Sequence, residues 1–133
     1  MITLHQATTL IAAGEAKADA IGVPISIAVL DSGTHLKAFA RQEGNVLAAV
    51  DIAIAKARTA VLFQSPTEAV WDYAKPGGPS PGLENTNGGL VLFPGGLPLF
   101  DASGALLGAV GVSGGAPSQD LEVARAAVAA FAA

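Results

Sequence analysis

From Ala7 to Ile21 apolar residues recur every three or four positions, the spacing of one face of an α-helix. Ala7, Leu10, Ile11, Gly14, Ala18 and Ile21 make that face. Thr3 and Gln6 stand ahead of it as a capping box, in which each side chain satisfies the other's free backbone N–H. Gly22 and then Pro24 give the usual stop order. The pattern predicts a helix over residues 3–22. The period then changes to two. Residues 26–30 (SIAVL) are short, apolar and β-prone, residues 31–34 (DSGT) have turn chemistry, and residues 35–41 (HLKAFAR) alternate, so the stretch reads as a β-hairpin. A second helix is predicted over 46–63, with Leu47, Val50, Ile54, Ala57 and Val61 as its stripe. Ala49, Ile52, Ala53 and Ala60 lie largely off that stripe and are apolar too, and a helix apolar nearly all round is buried on more than one face. In a domain this small the second face is expected to meet another subunit.

A short helix is predicted over 67–74. Residues 76–89 (PGGPSPGLENTNGG) hold five Gly and three Pro in fourteen positions, and loops of that length in compact domains are usually functional or disordered. Residues 90–93, 97–100 and 105–113 read as three strands, the last two joined by a turn at Asp101–Gly104. Ser118 is expected to cap a final helix, with Asp120 at its positive end and Leu121, Ala124, Val128 and Phe131 facing inward. The expected architecture is α+β: one five-stranded, mainly antiparallel sheet with flanking helices, in a single domain over residues 1–133.

Composition narrows the function classes. Hydrophobic residues make up 51% and charged residues 14%, against a usual charged share of about 25%. A disordered chain is excluded, and part of the exterior is expected to be covered by other subunits. The formal net charge is −4, and the seven Lys and Arg are scattered, so no nucleic-acid partner is expected. Without cysteine there is no thiolate chemistry, disulfide or cysteine-ligated zinc. No run is long enough to span a membrane, and the first residues lack the charged and apolar regions of a secretory signal. A cytoplasmic location is the expectation.

Candidate chemistry is sparse. His5 and His35 are the only histidines and have no zinc spacing; no metal site is expected. His35, after a hairpin turn, is a candidate proton carrier or ligand, or an ordinary turn histidine. Lys56 lies in an otherwise apolar helix, where a buried ammonium must find a partner or lose its charge. Arg41, ending a strand, has the fork geometry that suits a carboxylate. Two readings stand. In one, Lys56 and Arg41 flank a pocket for an anionic ligand; in the other they pair with Asp51, Asp31 or a neighbouring subunit. The double glycines Gly95–Gly96 and Gly114–Gly115 permit close approach of a ligand or another backbone, and GVSGGAPSQD leads from a strand into a helix N-terminus that favours anions. Gly111–Gly115 carries the letters G-x-S-x-G around Ser113, but loop residues separate it from the next helix, unlike a nucleophile elbow. Trp71, Tyr73, Phe93 and Phe100 are too dispersed for a base-stacking platform and read as core or interface.

Four segments in order, IAVLDSGTHLKAFAR, DIAIAKARTAVLF, NGGLVLFPGGLPL and GALLGAVGVSGGAPSQD, resemble the GlcG/HbpS-like family of haem-associated proteins, which includes the C-terminal domain of PduO-type cobalamin adenosyltransferases. The resemblance covers nearly the whole chain. It implies a profilin-like or PAS-like α/β/α unit, assembly into hexamers or octamers, and haem as a cofactor. It also implies an axial histidine from the middle of the first helix. Here that stretch reads AAGEAKA, with Glu15 and no histidine, and a carboxylate is a poor substitute for imidazole on haem iron.

The functional expectation is an oligomeric small-ligand-binding accessory protein, its ligand haem or an anionic carboxylate metabolite. Asp31, His35, Arg41, Lys56, Gly95, Gly96, Ser113, Gly114 and Gly115 are the candidate binding residues. The alternative is a cofactor-free enzyme acting on a small carboxylic acid, with Lys56 or His35 as base and Arg41 as anion clamp.

Overall fold

The computed structural model describes residues 1–131. Helix α1 (Leu4–Ile21) starts and stops where its capping residues place it. The Thr3 amide donates to Gln6 Oε1 at 2.9 Å, the Gln6 amide donates to Thr3 Oγ1 at 3.1 Å, and Gly22 closes the helix in the left-handed region at φ 70°. The face buried is Ala7, Leu10, Ile11, Gly14 and Ala18.

Strands β1 (Ser26–Asp31), β2 (Leu36–Arg41), β3 (Gly96–Phe100) and β4 (Leu106–Ser113) form one antiparallel sheet in the order β2-β1-β4-β3. The sheet therefore has four strands, not the five expected. Residues 90–93 do not join it because their backbone groups are taken elsewhere. The Leu90 amide donates to the Glu84 carbonyl, the Val91 amide to the Thr59 hydroxyl, and the Phe93 carbonyl accepts from the Thr67 hydroxyl.

Helices α1 and α4 (Pro117–Phe131) cover one face, over Ile27, Val29, Leu99, Val110 and Val112. Helix α2 (Ala49–Phe63) covers the other, over Ala28, Leu30 and Ala109. The residues of α2 buried against the sheet are Ala53, Ala57, Ala60 and Val61, with Ile54 packed beside them; Ile54, Ala57 and Val61 of the stripe read from spacing thus face the core, whereas Leu47 precedes the helix and is 74% exposed. Close approach decides this. A Cβ on Gly111 of β4 would collide with the carbonyl oxygen of Ala53, so only small side chains fit across this seam. The helix begins at Ala49 rather than residue 46, and Ala48 offers it no side-chain cap. Ser118 is likewise no cap: α4 begins at Pro117, a first-turn position that suits proline. Its buried face is Asp120, Val123, Ala124 and Ala127.

Helix α3 (Thr67–Ala74) and a single 3-10 turn (Leu83–Asn85) build a separate small core of Val70, Ala74, Leu90 and Leu92. No helix among the described residues is long and apolar enough to cross a membrane.

Candidate functional site

Lys56 projects from α2 into the protein and is 1% exposed. Its ammonium donates to the Val112 carbonyl at 2.8 Å and to Asp120 Oδ2 at 2.9 Å. Asp120, in the first turn of α4, uses its other oxygen to accept the Gly115 amide at 2.9 Å. Burial lowers the Lys56 pKa and raises that of Asp120, and in each case the partner's charge opposes the shift. The residues above the pair exclude solvent. A Cβ on Gly95, whose φ is +127°, would stand 3.0 Å from the Lys56 ammonium; one on Gly96 would stand 2.5 Å from the Lys56 carbonyl oxygen. Gly114 is packed against Asn45 and Pro24, and Gly115 against Gln119 and Val23. These four glycines let chain segments meet at close range.

Lys56, Gly95, Gly96 and Gly115 thus converge, but on each other. Sequence reading left open a pairing of Lys56 with Asp51, Asp31 or another subunit; its partner is Asp120, 64 residues away.

The other candidates lie at two ends of the sheet. Arg41, Ser26 and Ser113 are in register across β2, β1 and β4. Asp31 and the His35 turn lie at the far end of β1, roughly 17 Å away at about 3.4 Å per residue. Asp31 Oδ1 accepts the amides of Gly33 and His35 at 2.9 and 3.0 Å. Burial works to raise its pKa, but these bonds and the neighbouring His35 ring outweigh it and hold the carboxyl below its ordinary range. The His35 side chain is 80% exposed. His35, Lys56 and Arg41 therefore do not form a common base-and-clamp constellation.

Arg41 reaches a polar cleft of about 620 Å³ between the end of α1 and the chain after β2, with Glu15, Asp19, Gln42 and Glu43 in its walls. Three carboxylates against one guanidinium make this cleft a poor receptor for an anion. Gln42 is occupied structurally, accepting the Ile25 amide at 3.0 Å and donating to Asp19 at 3.1 Å.

A second cleft, of about 600 Å³, has different chemistry. Trp71 and Ala74 of α3 form one side, Leu90, Val91, Leu92 and Phe93 another, and Pro76, Pro81 and Gly82 the rim; Glu84 is the one ionisable side chain in the lining. Trp71 and Phe93 are 44% and 58% exposed. Its size and apolar walls are those of a small-molecule site. Lys75 lies between two lining residues, with Asp72 3.4 Å from its ammonium. Sequence reading placed these aromatics in a core or interface, because neither their spacing nor their identity reveals that residues 90–93 fold back beside α3.

Haem can be tested against these donors. Glu15, in the stretch of α1 where the resemblance implies an axial histidine, lines the polar cleft, whose lining has no imidazole. The apolar cleft also has no histidine, cysteine or methionine in its lining. Among the described residues, no group of three or more His, Cys, Asp or Glu side chains is arranged to hold a metal ion. The lining has the apolar character that a macrocycle needs; the donor set does not fit its iron.

Comparison with known proteins places the chain. It is 38% identical over 131 residues to an uncharacterised 15.0 kDa protein of the dhaT–dhaS intergenic region of Citrobacter freundii, covering 98% of this chain and 92% of that one. The crystal structure of the Klebsiella pneumoniae protein ORFY superposes with a TM-score of 0.96 at 34% identity, covering 99% of this chain and 91% of that one. The crystal structure of a PduOC–haem complex superposes with a TM-score of 0.92 at 32% identity, covering 97% and 94%. The profile of the family described as haem-degrading protein HbpS-like matches residues 2–129. A four-stranded α+β fold, a match over nearly the whole chain and relatives above 30% identity lead to one conclusion: this chain belongs to the HbpS-like family.

Proposed function

We propose that this protein is an oligomeric ligand-binding accessory protein that seats a haem-class macrocycle in the cleft between Trp71 and Phe93. The observation that carries the reading is the cleft itself: about 600 Å³, walled by apolar and aromatic side chains. The haem complex of a relative supports the ligand class. Trp71 and Phe93 would contact the ring faces, where aromatic contacts contribute roughly 0.5–1.5 kcal/mol beyond area burial. Haem, when bound, supplies a redox-active iron; affinity here comes from the ring, since the cleft offers no imidazole. A small carboxylic acid is less well served, because Lys56 is engaged with Asp120 and Arg41 sits among carboxylates. Assembly into a homo-oligomer, of the hexamer or octamer size the resemblance implies, is supported by exposed Leu36, Val46, Leu47 and Leu62.

The test is a paired titration with ferric haem and metal-free protoporphyrin, following the Soret band and the fluorescence of Trp71, the only tryptophan. Both ligands are expected to saturate at one per chain with similar Kd. Trp71→Ala and Phe93→Ala are expected to weaken both at least about tenfold, near 1.4 kcal/mol. Absence of saturable quenching by stoichiometric haem overturns the reading. Binding of haem but not of the metal-free ring overturns its ring-based basis.

A further inference from the structure

We propose that Thr67 is the positioning residue that sets the gap between the two aromatic walls of this cleft; the inference rests on the reading of the cleft as the ligand site. Thr67 is the first residue of α3 and is wholly buried. Its hydroxyl donates to the Phe93 carbonyl at 2.6 Å and accepts the Gly96 amide at 3.1 Å. One side chain thus uses its donor and an acceptor lone pair on two points of the same turn. Trp71 follows four residues later on the same face of α3, one helical turn away. The Thr67 hydroxyl therefore links the helix that carries one aromatic wall directly to the backbone of the other.

The far side of the turn is also fixed. The Gly95 carbonyl accepts the Val112 amide at 2.9 Å, and Gly95 packs against Lys56 and Asp120. At the near end, the Thr59 hydroxyl on α2 accepts the Val91 amide at 3.3 Å. The segment carrying Phe93 is consequently held to the body of the protein at Val91, Gly95 and Gly96. Across the cleft, α3 is a helix of eight residues whose Val70 and Ala74 pack against Leu90 and Leu92 of that same segment. Loss of the Thr67 bonds would leave only this apolar packing between α3 and the segment, letting Trp71 shift relative to Phe93. A cleft whose two aromatic walls were held at one separation would favour a flat ligand over a thicker one.

The experiment compares Thr67→Val, which keeps the shape but removes the hydrogen bonds, with Thr67→Ser, which keeps the hydroxyl. Each variant is titrated with planar metal-free protoporphyrin and with dicyano-haem, thickened by an axial ligand on each face. Acrylamide quenching of Trp71 is measured without ligand. The wild type is expected to prefer the planar ring. Thr67→Val is expected to bind it about tenfold more weakly, to lose the preference and to expose Trp71 to quencher; Thr67→Ser is expected to stay within about twofold of wild type on each measure. A merely structural role would lower the melting temperature without changing the preference. Thr67→Ala carries the same test if valine prevents folding. Unchanged affinity, preference and quenching in the folded variant overturn the proposal, as does a serine variant no better than valine. If the wild type binds neither ring, the cleft reading has failed, and the quenching comparison alone still decides whether Thr67 positions Trp71.

Discussion

Replacing Lys56 by methionine keeps most of the side-chain volume and removes the charge. Asp120, 2% exposed, then has a buried oxygen with no partner, and the Val112 carbonyl loses its ammonium donor. Breaking one side of a buried ion pair typically destabilises by about 3–5 kcal/mol. At about 4 °C per kcal/mol for a chain of this size, Lys56→Met should lower Tm by roughly 12–20 °C. The pKa directions carry a second expectation. Burial lowers the Lys56 pKa and raises that of Asp120 despite their mutual attraction, so taking the two charges out of water outweighs what they return to each other. Lys56→Met with Asp120→Asn should therefore be more stable than Lys56→Met alone. The neutral amide keeps an oxygen for the Gly115 amide and leaves no unpaired charge inside the protein. Urea unfolding of the wild type, both single variants and the double variant supplies the cycle. A Lys56→Met protein as stable as wild type would refute the buried-pair argument. A double variant no more stable than Lys56→Met alone would refute the claim that an unpaired buried charge is what that single variant suffers from.

Two further outcomes follow from features outside the cleft. The Ser103 hydroxyl, together with the amides of Ala105, Ser103 and Gly104, holds the Asp101 carboxyl below its ordinary value of 3.8. A depressed carboxyl pKa stabilises the turn above the unfolded value and loses that contribution as pH falls through the folded one; an NMR titration of the Ser103 and Ala105 amides should show a midpoint below 3.8, and one at or above it would count against these bonds. Light scattering at micromolar concentration should find the wild type assembled and Leu47→Glu shifted to smaller species, because Leu47 is 74% exposed beside exposed Val46; a lone wild-type protomer would remove the assembly proposal.

Legibility in the sequence followed the range of the forces involved. Helix α1 was readable to within a residue or so because Thr3, Gln6 and Gly22 act on their own neighbours. The hairpins were readable because Asp31 and Asp101 bind amides two and four residues ahead. Residues 90–93 were misread because their β-prone composition is real, while their hydrogen-bond partners are threonines 26 and 32 residues earlier. The core-facing stripe of α2 was only partly placed: Ala57, Val61 and Ile54 do face the sheet, but Ala53 and Ala60 were read as off the stripe because side-chain size was taken as a guide to depth, whereas Gly111 on β4 brings the helix backbone too close for a larger residue at Ala53. The isolation of Lys56 in an apolar helix announced a buried charge, but nothing within α2 identifies Asp120 as its partner.

The alanine-on-glycine seam beneath α2 also makes the two sides of the sheet unequal in their freedom to drift. Under α1 and α4 the contacts are branched side chains, which can exchange volume with one another as substitutions accumulate. Under α2, Gly111 meets the backbone of Ala53 and Ala57, and a single added methyl there has nothing to trade against. Variation should therefore gather on one side of the sheet, while the other tolerates change only where the helix itself can shift outward.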